Sequence, residues 1–167
     1  MTKDERQDAA LAVRRSSSGG LAMPKVSSLI EGKGSSVETI SAAATVLDAA
    51  ELMNSRKIGS LVVVEGDAVR GILTERDILT RVVASARDPK ATSVGEVMTP
   101  EPLTCRPDTP LDEVRQVMRD KRIRHLPVVD NARLVGMVSI GDLNMAKSEL
   151  LEQTIHHMEV YMHGGSF

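Results

Sequence analysis

Among 167 residues there is one Tyr, one Phe and no Trp. A core without aromatics has to be packed from Val, Ile, Leu, Ala and Met, and nine methionines are present to fill irregular gaps. The same shortage removes the stacking platforms on which single-stranded nucleic acids are held. A formal net charge of −2 offers no basic footprint for a duplex. Cys105 is the sole cysteine, so no internal disulfide can form, and a reducing cytoplasmic setting is expected. The run Leu61-Val62-Val63-Val64 is far shorter than the ~20 apolar residues a spanning helix needs, so no membrane partner is expected. The first twenty residues mix acids, bases, Ser and Gly and do not read as a secretory signal.

What is present is a repeat. With Asp77 laid over Asp142, segment 37–79 aligns without a gap on segment 102–144. Thr39 falls on Thr104, Met53 on Met118, Ile58 on Ile123, Leu61 on Leu126, Val63-Val64 on Val128-Val129, and Gly71 on Gly136. Each copy reads as a βαββα unit. A short strand at Thr39-Ile40 or Leu103-Thr104 leads into a helix over 45–56 or 110–121, whose apolar residues recur at helical spacing. Pro110 suits the first helical turn. A buried strand over 60–64 or 126–129 follows, and its continuous apolar run implies cover on both faces. Turn residues then lead to a third strand, over 69–73 or 134–138, and to a helix opening at Thr74 or Ser139.

The predicted fold is mixed α/β (α+β), with two such units packed on one another in pseudo-two-fold symmetry. Neither is large enough to bury a full core alone. The chain divides into a flexible leader (1–24), unit one (25–90), unit two (91–145) and a C-terminal helix and tail (146–167). A short helix from Pro24 puts Val26, Leu29 and Ile30 on one face. On the last helix Leu151, Ile155, Met158 and Met162 follow near-heptad spacing, which suits packing on the chain itself or on a second subunit.

The polar signal is Gly71-Ile72-Leu73-Thr74-Glu75-Arg76-Asp77 and its copy Gly136-Met137-Val138-Ser139-Ile140-Gly141-Asp142. Each is a strand running into a helix N-terminus, where free N–H groups and the helix dipole favour a phosphate. Thr74 or Ser139 adds a hydroxyl, and Asp77 or Asp142 can accept from both hydroxyls of a ribose. The competing reading is a capping box that only secures the helix start. Such boxes prefer Glu or Gln at the third position, so Asp in both copies leans towards a ligand.

These units resemble a tandem pair of cystathionine-beta-synthase (CBS) domains, a Bateman module. The resemblance covers about residues 26–144 and rests on Val97-Met98-Thr99, on Arg124-His125-Leu126-Pro127-Val128-Val129-Asp130, and on both Gly-x-x-Thr/Ser-x-x-Asp tails. Unit one has Val62 in place of the signature's Pro. The resemblance implies two clefts that bind AMP, ADP, ATP, NAD or an S-adenosyl compound. Asp77 and Asp142 would hold ribose, and Thr74 and Ser139 ribose or phosphate. Ile58-Gly59-Ser60 and Ile123-Arg124-His125 would line the adenine. Segments 33–38 and 98–103, bounded by Lys33, Glu38, Met98 and Leu103, would close the clefts. The Asp142 cleft is expected to recruit Ser139, His125 and Gly59 and to be the better formed. The Asp77 cleft is expected to use Thr74, with Arg76 and Arg124 on phosphate.

No catalytic site is expected. Cys105 and His125 lack a third, orienting group, and His156, His157 and His163 lack the Cys or acid cluster that would complete a metal set. The function implied is a regulatory, signal-transducing nucleotide sensor, a homodimer that relays occupancy to an effector protein. The alternative is a ligand-free interaction adaptor with vestigial clefts.

Overall fold

The computed structural model describes residues 24–34 and 36–163, so most of the leader lies outside the described residues. The elements are α1 (Val26–Lys33), β1 (Thr39–Ser41), α2 (Val46–Arg56), β2 (Ser60–Glu65), β3 (Ala68–Thr74), α3 (Glu75–Ile78), α4 (Val94–Val97), β4 (Thr99–Pro100), α5 (Leu111–Lys121), β5 (His125–Asp130), β6 (Arg133–Ser139) and α6 (Ile140–His163). A π-helical turn, Leu79–Val83, prolongs α3.

The repeat is kept to the residue. The bounds of α2, β2 and β3 recur in α5, β5 and β6 at the sequence shift of 65. Both hairpins bulge at equivalent places, Val63/Val64 and Val128/Val129. Both helices end on a non-glycine left-handed residue, Lys57 and Arg122, each at φ 54°. The first strand is the exception. β1 pairs in parallel with β2, whereas in unit two only Cys105 bridges to Val128, in the register of Ile40 on Val63. Leu61, Val62 and Val63 are all fully buried, as a strand covered on both faces should be.

Two aliphatic cores result, and each borrows from the other half of the chain. Val26 of α1 is buried in the core of unit two, while Val94 and Val97 of α4 are buried in that of unit one. The exchange is fixed by backbone hydrogen bonds. The Leu111 N–H donates to the Pro24 carbonyl at 2.9 Å, and the Val94 N–H to the Ala44 carbonyl at 2.8 Å. Gly71 and Gly136 make it possible. A Cβ at Gly71 would meet the Met98 side chain and, at 3.0 Å, the Thr99 carbonyl; one at Gly136 would meet the Ile30 methyl at 2.9 Å.

Two local expectations differ from what is found. Pro110 is the N-cap of α5, not its first helical residue, because its ψ of 141° is extended. The helix opening after Ser139 does not stop before residue 146; α6 is one continuous helix of 24 residues. Among the described residues no helix is long and apolar enough to cross a membrane.

Candidate functional site

Each Gly-x-x-Thr/Ser-x-x-Asp tail forms the same local structure. Thr74 is the N-cap of α3. Its N–H and hydroxyl donate to Asp77 Oδ2 at 2.9 and 2.6 Å, and the Asp77 N–H donates back to the Thr74 hydroxyl at 3.3 Å. Ser139 and Asp142 repeat this at 2.7, 2.7 and 3.2 Å. Both are therefore capping boxes, and the preference for Glu does not argue for a ligand. Thr45 and Asp48 build the same box at the start of α2, outside either corner. The side chain of Asp is long enough, so a ligand role has to rest on what surrounds each box.

Around Asp77 the surroundings come from both units. A cavity of about 250 Å³ is lined by Gly59, Ile72, Thr74, Glu75, Arg76 and Asp77, by Thr99, and by Arg122, Ile123, Arg124 and His125. Its size is near the lower end of small-molecule sites (roughly 300–1,000 Å³). Gly59 leaves room for Glu75: a Cβ there would lie 3.1 Å from the Glu75 carboxylate. Asp77 is only 8% exposed, and with Oδ2 on the cap its Oδ1 faces Arg81 at 3.4 Å. Arg81 also donates to the carbonyls of Val97 and Met98, both at 2.8 Å, and to the Thr99 hydroxyl at 3.3 Å. One guanidinium thus ties the buried carboxylate to the segment entering unit two.

The Asp142 corner is different. The groove beside it, about 500 Å³, is walled by α1, α5 and α6 through Pro24, Ser28, Leu29, Gly32, Leu111, Met145, Ala146, Glu149, Leu150 and Gln153. Gly59 and His125, expected beside Asp142, both line the Asp77 cavity. The reason is the exchange of segments: the strand entry of unit two, Ile123 to His125, is brought against the tail of unit one. His125 also stands opposite Ser139 across the β5–β6 ladder.

Of the remaining residues, Ile58 and Met98 pack against the core of unit one. Ser60 is buried in register with Thr74. Glu38 pairs with Arg56 at 3.2 Å. Leu103 is exposed. Lys33 ends α1, and its side chain lies outside the described residues. Thr99 lies in the Val97-Met98-Thr99 marker and in segment 98–103, expected to close a cleft. Glu75, Arg122 and Arg81 are not among the expected site residues, although Arg122 immediately precedes the strand entry and Glu75 lies inside the motif. Arg81 carries no sequence signal. Burial pushes the Cys105 thiol up to about 12, so it stays protonated at neutral pH. No cluster of metal-binding side chains occurs among the described residues.

A family model for the CBS domain matches residues 34–84 and 94–149. The chain belongs to the CBS-domain family. It is 40% identical over 118 residues to the CBS domain-containing protein YhcV of Bacillus subtilis, covering 71% of this chain and 84% of that one. It is 40% identical over 126 residues to the mitochondrial CBS domain-containing protein CBSX3 of Arabidopsis thaliana, covering 72% of this chain but only 61% of the plant protein's length. The crystal structure of the CBS-domain protein ATU1752 from Agrobacterium tumefaciens superposes with a TM-score of 0.71 at 34% identity, covering 74% of this chain and 99% of that one. CBS-domain proteins are generally regulatory, signal-transduction modules.

Proposed function

We propose that this CBS pair is a sensor of an adenosine nucleotide (AMP, ADP, ATP or NAD), without a catalytic cofactor, acting as a cytoplasmic self-associating module on an effector protein. The observation that carries this reading is the cavity at Asp77, where one buried carboxylate and the N-terminus of α3 meet three arginines, Arg76, Arg122 and Arg124. Asp77 Oδ2 holds the cap, and Oδ1 accepts from ribose hydroxyls in exchange for Arg81. The guanidiniums pair with phosphate. Gly59 and Ile123 give the base a backbone and an apolar surface. Releasing Arg81 from Asp77 loosens its hold on the Val97 and Met98 carbonyls, and so makes the linker sensitive to occupancy. A ligand shifts such a state only by its differential affinity for the two arrangements.

Thermal unfolding with AMP, ADP, ATP, NAD and S-adenosylmethionine tests this. A ligand at a hundred times its Kd adds about 2.7 kcal/mol, which for a chain of this size is roughly 5–10 °C in Tm. No shift with any of them at millimolar concentration would refute the sensor and favour the adaptor reading.

A further inference from the structure

The nucleotide corner makes no use of the distal half of α6. The helix has 24 residues and is therefore about 36 Å long at 1.5 Å per residue. Its first turns are anchored: Leu143 is fully buried, with Ile140 and Ala146 against the core of unit two. From 147 to 161 every residue is exposed. Leu151, Ile155 and Met158 are 53%, 55% and 59% exposed, although they share one face. A helix of four turns is marginal in water by itself, and an apolar stripe left in solvent marks a contact surface.

We propose that this stripe closes on the same stripe of a second copy, as a short parallel two-stranded coiled coil. The spacing places Ser148, Ile155 and Met162 at heptad position a, and Leu151 and Met158 at d. A β-branched residue at a with Leu at d packs best as two parallel strands. Charge selects the same arrangement. Lys147 falls at g and Glu152 at the e position five residues on, so parallel helices set Lys147 of each copy beside Glu152 of the partner subunit. Antiparallel helices would instead set Glu152 beside Glu159 of the partner subunit, like charge against like, twice along one flank of the seam. His156 and His157 fall at b and c, outside the seam.

The inference rests on the self-association included in the proposed function and fixes its surface and direction. Sedimentation equilibrium on the full chain is compared with the double variant Leu151→Asp/Ile155→Asp. Both side chains are more than half exposed, so the body should fold, and cooperative thermal unfolding of the variant would confirm that it does. The expected result is dimerisation at least tenfold weaker in the variant. For direction, Ser148→Cys in a Cys105→Ser background is mildly oxidised beside His156→Cys in the same background. The expected result is a reducible covalent dimer from position 148 and none from 156. An unchanged dimerisation constant in the double variant overturns the surface and leaves self-association standing. A chain monomeric at every concentration overturns both. Failure to cross-link at position 148 overturns the parallel direction.

Discussion

The two ends of the repeat share a backbone and diverge in charge. At Asp77 the helix carries Arg76 and Arg81; the equivalent positions beside Asp142 hold Gly141 and Ala146. The first corner is enclosed by both units and rimmed by arginines. The second opens on a groove of Leu29, Leu111, Met145, Ala146 and Leu150, with Glu149 on its wall. The capping boxes match to within a few tenths of an ångström. Duplication therefore conserves what starts a helix, while the side chains one turn on decide what the helix is for. One corner gathers arginines around a buried carboxylate, and the other faces apolar side chains of α1 and α6.

The most direct way to break this comparison is to remove each carboxylate in turn. Asp77→Ala should abolish nucleotide protection, about 2.7 kcal/mol at a hundredfold excess over Kd. Asp142→Ala should keep it and lower the stability of the free protein only as a lost cap does, by roughly 1 kcal/mol. Equal loss of protection in both variants, followed by thermal shift, would show that the corners are equivalent after all. Next in size is the close approach of the exchanged segments. Gly71→Val drives a side chain into Met98 and the Thr99 carbonyl, and should cost about 1–3 kcal/mol by overpacking. Gly136→Ala presses on the Ile30 side chain alone, at Cδ1 and both γ carbons, with no backbone in the way, and should cost less. Chemical denaturation of the pair measures the difference.

Much of this architecture is legible from spacing. The repeat at a shift of 65 predicts the helices and hairpin strands to within a residue or so, because turn residues such as Gly66 and Asn131 stop the strands by their own conformation. The strand expected at Leu103-Thr104, however, is reduced to a single bridge at Cys105. Which half of the chain each connecting segment covers is not legible. Val26, Val94 and Val97 look like any short apolar patch, and only tertiary packing assigns them to the opposite unit. The exchange also brings His125 to the Asp77 cavity, which spacing along the chain does not show. Arg81 is invisible for a related reason: its partners are backbone carbonyls, which leave no trace in a sequence.

Arg81 also sharpens the comparison, because unit two has no counterpart to it. Arg81→Ala removes two carbonyl contacts and the pairing with Asp77. With the side chain 44% exposed, solvent screening limits the cost to roughly 1 kcal/mol. The expected signature is local, with faster proteolysis near Val97 and Met98 in the free protein. An unaltered cleavage pattern would remove Arg81 as the tie between the corner and the linker.

The smallest expected effect compares the two long helices of the repeat, α2 and α5. At the start of α2 the Thr45 hydroxyl and N–H both donate to Asp48, and the side-chain bond leads in holding that carboxyl below its ordinary value of 3.8. At the start of α5, Pro110 replaces Thr45 and Glu113 replaces Asp48. Proline offers neither donor. Glu113 Oε2 is buried with no hydrogen-bond partner among the described residues, and desolvation raises its pKa. The signs are opposite. The contribution of Asp48 is present above its ordinary pKa and is lost as pH falls through the depressed folded value. The penalty at Glu113 is absent below its ordinary pKa of 4.5 and grows as pH rises through the elevated folded value. Pro110→Thr restores both donors in a Thr-x-x-Glu box, so Glu113 should titrate lower and the protein should gain about 0.5–1 kcal/mol near neutral pH. Side-chain NMR titration of Glu113, read with Tm against pH, decides it. A Glu113 pKa that stays raised in the variant would mean that the carboxylate is held away from the helix start by its packing, and that the missing hydroxyl is not the cause.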